Sequence, residues 1–496
     1  MEIRKLSNQI LPLFPASIQR PNYDRARCSP RIVHIGVGGF HRAHQAVYLD
    51  ELLHLSQEDC WLECGMGILE SDARMRDALG SQDYLYTVVE RSAKSQQARI
   101  IGSITDFVLA PPSVEGAIAR LADPECRIVS LTITEGGYLR DDATGRLLDK
   151  DPGVVFDLEH PSRPRTFLGV LAAALAARMR SGSPPFTLLS CDNLEGNGDT
   201  LKRSLTSFCE LRDPLLRRWI EANVAFPNSM VDRITPGTTD ADRLSVRERF
   251  GIDDAWPVVT EPFRQWVIED QFTQGRPRFE EVGVEFTTDV HIFERMKMSL
   301  LNGGHLAIAF VSGLLGYQFV HEAMSDPLVA GFLSCYMDAV TPIVEQPPGV
   351  DLEEYKATLV ERFANPTIFD QVQRIASEGA AKVPKFVLPS IRRLIAQGRS
   401  LEIPALVIAS WIRYLGGKDE LGQPIAVLDA SLRELQSRIV PSSAAVEGIL
   451  SMERIFGKDL PQHPAFVEQV RSAFDRLSRD GVVKTLAGCV HRVSTR

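Results

Sequence analysis

"HIGVGGFHRAHQAVYLDELL", residues 34–53, decides how the first half of the chain is read. A β-branched run, "RIVHIG" (31–36), ends in glycine, and a segment with apolar residues at Ala46, Val47 and Leu49 follows. Strand, glycine turn and helix in that order form the first βα turn of a dinucleotide-binding fold. Gly36 allows the tight turn, Gly38 lets the backbone approach a pyrophosphate, and the helix N-terminus favours negative charge. His41 stands where the usual pattern has its third glycine. The expected cofactor-binding stretch is Ile35, Gly36, Gly38, Gly39, Phe40, His41 and Arg42.

Outward from this turn, "WLECGMGIL" (61–69), "LYTVVE" (85–90), "RIVSLTIT" (127–134) and "FTLLS" (186–190) read as further strands. Helix-period segments lie between them at 43–55, 114–121 and 167–180. Continuous apolar strands alternating with helices predict a parallel sheet covered on both faces, a doubly wound α/β domain. "PVVTEP" (257–262) and "RFEEVGVEFTTDV" (278–290) read as the last extended pieces. Beyond about residue 290 the pattern is helical, as in "DPLVAGFLSCYMDAV" (326–340) and "ALVIASWIRYLGG" (405–417), with breaks at Pro, Gly and Asn. The expected organisation is a Rossmann-like domain over 1–288 and a mostly α-helical domain over 289–496.

The cofactor reading extends to the second strand. An acid at its end would grip the adenosine ribose hydroxyls, and "GILESD" supplies Glu70, with Asp72 just beyond. A carboxylate there repels a 2′-phosphate, so NAD is expected over NADP. The spacing from Gly36 exceeds the usual ~20 residues, and either acid could instead cap the next helix.

Bulk properties exclude several classes. The 496 residues exceed one typical core. A formal net charge of -9 argues against nucleic acid or an anionic membrane surface as partner. The N-terminal residues show no apolar run long enough for a signal peptide. The longest apolar region, Leu300 to Val320, carries Asn302, His305 and Gln318, and reads as a buried helix, not a membrane span. Eight cysteines (28, 60, 64, 126, 191, 209, 335 and 489) form no Cys-x-x-Cys pair and no zinc set, so no metal is expected and the thiols suit a reducing, cytoplasmic setting.

That apolar helix carries candidate catalytic residues. "KMSLLNGGHLAIAF" (297–310) places Lys297, Asn302 and His305 among Leu, Ile, Ala and Phe. In a regular α-helix at ~100° per residue, Lys297 and Asn302 stand ~140° apart with His305 between them. Burial lowers a lysine pKa towards the range of a general base. The alternative is an exposed lysine, with the amide and imidazole satisfied by local backbone. "FTLLSCDNLEGNG" (186–198) sets Asn193 just past a strand's carboxyl end, where α/β sheets bind ligands, and its amide could join Asn302 in holding a developing alkoxide.

Gly-x-Gly-x-Phe-His-Arg-Ala-His from 36, Asp-Asn-Leu-x-x-Asn-Gly from 192, Val-Asp-Arg-Ile-Thr-Pro from 231 and Lys-x-x-x-x-Asn-Gly-x-His from 297 together resemble the polyol-specific long-chain dehydrogenase/reductase family. "GIDDAWPVVTEPFRQWVIED" (251–270), "DLEEYKATLVERFANP" (351–366) and "KVPKFVLPSIRRL" (382–394) are nearest its mannitol 2-dehydrogenase branch. The resemblance implies NAD-dependent, metal-free oxidation of a secondary alcohol in an open-chain polyol, giving a ketose. It implies Lys297 as general base, Asn193 and Asn302 as oxyanion stabilisers, and His305 in orienting substrate. It implies Glu294 on a proton path to solvent, and Asp232, Arg374 and Lys382 at the polyol hydroxyls. A monomer is common in that branch.

Rival readings differ in what they need. Tyr414 and Lys418 fit the Tyr-x-x-x-Lys pattern of short-chain dehydrogenases, but Gly416 and Gly417 weaken the helix that pairing requires. A non-enzymatic NAD-binding sensor keeps the glycine turn and has no use for Lys297, Asn193 and Asn302 together. Arabinitol dehydrogenase and sugar-acid oxidoreductases of the fructuronate or altronate type are the alternatives within the family. The sugar-acid enzymes would need added cations for a carboxylate, which Arg374 and Lys382 could supply.

Overall fold

The computed structural model describes residues 2–27, 29–55, 61–141, 144–440 and 444–494. The chain divides into two compact units, Met1–His291 and Ile292–Arg496.

Besides a two-residue parallel pair, Arg4–Lys5 with Ile252–Asp253, the strands of the first unit are β1 (Ile32–Ile35), β2 (Glu63–Gly67), β3 (Tyr86–Arg91), β4 (Gln96–Ile101) and β5 (Ile104–Leu109). They continue with β6 (Ile128–Leu131), β7 (Thr187–Ser190), β8 (Ser229–Asp232), β9 (Val258–Thr260), β10 (Gln265–Glu269) and β11 (Glu285–Thr287). The central sheet is parallel in the order β5-β2-β1-β6-β7. That is the mononucleotide-binding half of a doubly wound fold, in which ligands bind outside the carboxyl ends of the strands where the order reverses. Side chains alternate across it. Val33 and Ile35 join a core with Phe167, Leu171, Leu175 and Phe208 on one face, while Ile32 packs with Tyr48, Leu49 and Leu52 on the other.

Two sequence expectations are corrected here. The run at 85–90 is a strand, but β3 lies outside the parallel sheet. It pairs antiparallel with β4 and parallel with β9 in a separate three-stranded sheet. The outer strand of the parallel sheet is β5, joined to β4 by only Gly102 and Ser103; the polar Thr105 and Asp106 break its apolar run. The 278–290 segment is extended only at β11, because Phe279–Val282 forms a 3₁₀ turn. β11 pairs with β10, which runs antiparallel to β8.

The second unit is helical around one core that includes Leu300, Phe310, Phe332, Trp411, Phe456 and Phe466. Leu300 to Val320 contributes to it. No helix among the described residues is long and apolar enough to cross a membrane. Cys64, Cys126, Cys191, Cys209, Cys335 and Cys489 are free, buried thiols; Cys28 and Cys60 lie outside the described residues.

Candidate active site

Gly36 leaves β1 at φ +92°, and a Cβ there would overlap the carbonyl oxygen of Thr132. No other residue suits that position. A Cβ on Gly38 would meet only the Gly36 carbonyl, at 3.8 Å, so the backbone is open to a ligand on that side. Gly38 is the N-cap of helix α1 (Gly39–Ala43), which breaks at His44 and resumes as α2 (Gln45–Leu55).

Because α1 is little more than one turn, its side chains scatter. Phe40 stacks on His44 with ring centroids 4.8 Å apart. The buried His41 and Arg42 turn inward. Arg42 donates to the carbonyls of Gly38 and Trp256 and lies 5.2 Å over the Tyr86 ring. Ile35 is equally buried in the core. Of this stretch, the His41, Arg42 and Ile35 side chains are thus buried, and the backbone at Gly38 is the part left open.

Of the two acids after β2, Asp72 is the cap: its carboxylate accepts from the N–H groups of Ile68 and Leu69, both at 2.9 Å. Glu70 is left with its side chain exposed.

In the parallel register Ile35, Leu131 and Ser190 are aligned, so the chain leaves β1, β6 and β7 along one edge. The motif at 192–198 divides its work. Asp192 accepts from Ile133 N–H (3.1 Å), Thr134 N–H (2.8 Å) and Tyr138 O–H (2.7 Å), holding Thr134 at φ +64°. Asn197 donates to the carbonyls of Asp192 (3.0 Å) and Ser229 (2.8 Å), tying this loop to β8. Asn193 is exposed between these two anchors. Asp192 and Asn197 were missed as positioning residues; their flanking of Asn193 within one short polar loop was the available signal.

Asp232 is the last residue of β8, buried and in register with Gln265. The next residue, Arg233, donates to Glu261 O (3.0 Å), Ala43 O (2.5 Å) and Glu90 Oε1 (2.5 Å). It thereby ties β8 to the end of α1, another role the sequence reading passed over.

The second unit supplies the remaining candidates. Helix α3 (His291–Lys297) runs through a π turn, Met298–Asn302, into α4 (Gly303–Leu314). The uniform α-helix assumed for 293–311 is thus corrected. A π turn closes i to i+5 and turns each residue by less than the ~100° of an α-helix. Lys297 and Asn302, five apart, are nearer one line than the ~140° that α geometry gives. Such turns concentrate at functional sites.

Glu294, Lys297 and Asn302 are buried, with exposures of 2%, 5% and 9%. Asn302 Nδ2 lies 3.1 Å from Met298 Sδ, and His305 stacks on Phe363 with centroids 3.7 Å apart. The helix Gly379–Phe386, which carries Lys382, packs on the π turn, and Val372–Ala376, which carries Arg374, packs on α4. So the second unit brings its candidates into one neighbourhood.

Arg374 and Lys382 are already engaged. Arg374 is exposed and binds both oxygens of Asp370, at 2.6 and 2.8 Å. Lys382 donates to Arg374 O (3.1 Å), Ile375 O (3.0 Å) and Ser377 Oγ (3.4 Å), closing the end of its neighbour helix. Tyr414 is buried at the end of Glu402–Tyr414, and burial pushes its phenol up, which does not suit a catalytic acid or base. Among the described residues, no three His, Cys, Asp or Glu side chains could together hold a metal ion.

Residues 30–281 match the mannitol dehydrogenase Rossmann domain and 289–478 the mannitol dehydrogenase C-terminal domain. Mannitol 2-dehydrogenase of Aspergillus fumigatus is 45% identical over 490 residues, covering 97% of each chain. The Aspergillus oryzae protein of that name is 44% identical, covering 97% of this chain and 98% of its own. The solved structure of Pseudomonas fluorescens mannitol 2-dehydrogenase, a ternary complex with NAD and D-mannitol, superimposes with a TM-score of 0.89. It is 46% identical and covers 98% of this chain and 100% of its own. A substrate-free D-sorbitol dehydrogenase gives a TM-score of 0.88 at 35% identity, covering 97% of this chain and 100% of its own. The chain belongs to the mannitol dehydrogenase family.

Proposed function

We propose that this protein is an NAD-dependent polyol dehydrogenase that reversibly oxidises a secondary alcohol to a ketose without a metal, with D-mannitol and D-fructose as the favoured pair. The observation that most supports it is the buried Lys297 and Asn302 drawn together by a π turn. The open backbone at Gly38 and the exposed Glu70 carboxylate fit NAD on the first unit, read as the dinucleotide domain over 1–288. Residues 289–496 are read as the substrate and catalytic domain. NAD, when bound, takes the hydride from the carbinol carbon.

The chain's own groups do the rest. Lys297, in its neutral form, removes the hydroxyl proton, and Glu294, one helical turn away, passes it towards solvent. The amides of Asn193 and Asn302 donate to the developing oxyanion, the work a zinc ion does as Lewis acid in other enzymes. His305 orients the hydroxyl, and Asp232 holds a neighbouring one. Arg374 and Lys382 stand near the polyol chain.

That Arg374 is paired with Asp370 and Lys382 with carbonyls favours a neutral polyol over a sugar acid, whose carboxylate would need an uncommitted cation. The working form is a cytoplasmic monomer with small-molecule partners. Initial rates with C5 and C6 polyols and ketoses, each with NAD(H) and NADP(H), test the reading. Mannitol oxidised fastest with NAD is expected. Faster turnover of arabinitol or of a hexuronate would move the substrate, and NAD binding without turnover of any of them would favour a sensor.

A further inference from the structure

Beneath the glycine turn lies a buried polar cluster that the chemistry above does not use. His34, His41, Gln45, Glu63 and Ser130 come from β1, α1, α2, β2 and β6, and none exceeds 2% exposure. Buried polar groups are costly unless hydrogen-bonded, and here the bonds from Gln45 to Gly36 run in one direction.

Gly36 O can only accept, so the Thr132 hydroxyl donates its proton there, at 2.7 Å. Thr132 must then accept from His34 Nε2 (2.9 Å), which assigns the tautomer, and His34 Nδ1 accepts from the Ser130 hydroxyl (2.8 Å). Ser130 accepts from Gln45 Nε2 (2.9 Å), which also donates to Glu63 Oε1 (2.6 Å). The Cys191 thiol donates to Gln45 Oε1 at 3.6 Å, consistent with that amide orientation.

The far end of the chain is different. Glu63 Oε2 lies 3.3 Å from His41 Nε2, and neither atom has a hydrogen bond among the described residues. Two facing acceptors fit one shared proton. His41 is also stacked on His34, with centroids 3.5 Å apart.

Burial pushes the Glu63 acid up to about 7 and the His41 imidazole down to about 3, so on the acid side of neutrality the proton stays on Glu63. Burial also keeps His34 well below its ordinary value, and Tyr86 and Cys191 well above theirs. Arg42, beside His41, is lowered only to about 10 and stays charged. Near neutrality, Glu63 is therefore the group of this cluster that changes charge.

We propose that Thr132 and His34 are positioning residues for the cofactor turn, and that the proton held between Glu63 and His41 couples NAD(H) affinity to pH. This rests on the reading that the turn holds NAD. When Glu63 ionises, a buried carboxylate appears against Gln45, whose amide heads the polarised chain that ends on Gly36, and the cofactor brings a negatively charged diphosphate to that turn. Diphosphate binding then favours protonated Glu63 and, by linkage, takes up protons. Affinity is full below the Glu63 pKa and falls as pH rises through it.

The test is NADH affinity by fluorescence titration on both sides of neutrality. Wild type should weaken on the order of threefold to tenfold towards alkaline pH. Glu63→Gln, which keeps an N–H donor towards His41 at every pH, should hold the acid-side affinity throughout. A flat wild-type profile, or a variant that weakens as wild type does, overturns the proposal. No NADH binding to wild type at any pH would instead overturn the reading of the turn, and this inference with it.

Should Glu63→Gln not fold, two further measurements decide. Calorimetry of NADH binding to wild type in two buffers of different ionisation heat should show net proton uptake near neutrality; none overturns the coupling. Thr132→Val should raise KM for NAD several-fold with kcat near wild type, and Thr132→Ser should restore it. Loss in kcat that Thr132→Ser leaves unrepaired overturns the positioning role.

Discussion

Lys297 is buried, at 5% exposure, at the end of a helix that also buries Glu294 one turn earlier, and the π turn begins at the next residue. If it is the base, Lys297→Ala should lower kcat for polyol oxidation by a factor on the order of 10² to 10⁴. NADH affinity should barely change, because the glycine turn is untouched. The wild-type pH profile of kcat/KM for oxidation should rise to a plateau as one group loses its proton, and the variant should lack that ionisation. A near-normal rate with the same profile would place the base elsewhere. Glu70 makes the second residue-scale case. Its carboxylate is exposed while Asp72 is engaged by backbone N–H groups, so Glu70→Ala should weaken NAD and narrow the preference over NADP in kcat/KM. An unchanged ratio would mean another group reads the ribose. Both residues could be picked from the sequence because polar groups in an apolar run, and an acid just past a strand, stand out by type. The inward turn of His41 and Arg42 could not, since it follows from the break at His44 and from partners as distant as Trp256.

At the scale of elements, the π turn is held by what packs on it. A Cβ on Gly303 would overlap the Tyr336 hydroxyl and lie 3.1 Å from Phe386 O. Gly303→Ala should therefore destabilise the second unit by roughly 1–3 kcal/mol, the usual cost of overpacking. The buried Tyr336 hydroxyl has no hydrogen bond among the described residues. Tyr336→Phe alone should then cost little, and in the double variant it should recover part of the lost Tm. Strictly additive losses would show that the crowding lies elsewhere. The helices around this turn were visible as periodic apolar patterns. The turn was not, because one wide turn shifts the phase of the pattern without breaking it. The small sheet of β3, β4 and β9 was hidden for a related reason. Alternation marks a strand, but the partner of β3 at Val258–Thr260 is more than 150 residues away, and no local pattern carries that pairing.

For the whole molecule, the division into an α/β unit and a helical unit follows from the change of period near residue 290, a signal summed over many residues. The proposed metal independence is tested at this scale, since any metal-ligand set would have to be assembled from distant parts of the chain. Exhaustive dialysis against EDTA should leave activity intact, and a loss repaired by zinc would overturn the lysine mechanism. The buried thiols carry one more consequence. Four of the six lie in the first unit and two, Cys335 and Cys489, in the second. Burial pushes Cys64 and Cys209 up to about 12 and Cys126 and Cys335 up to about 11, so alkylating reagents reach reactive thiolates only when a core opens. Each unit thus carries its own chemical clock, and peptide-resolved alkylation in mild denaturant tells whether the two cores open together or one before the other.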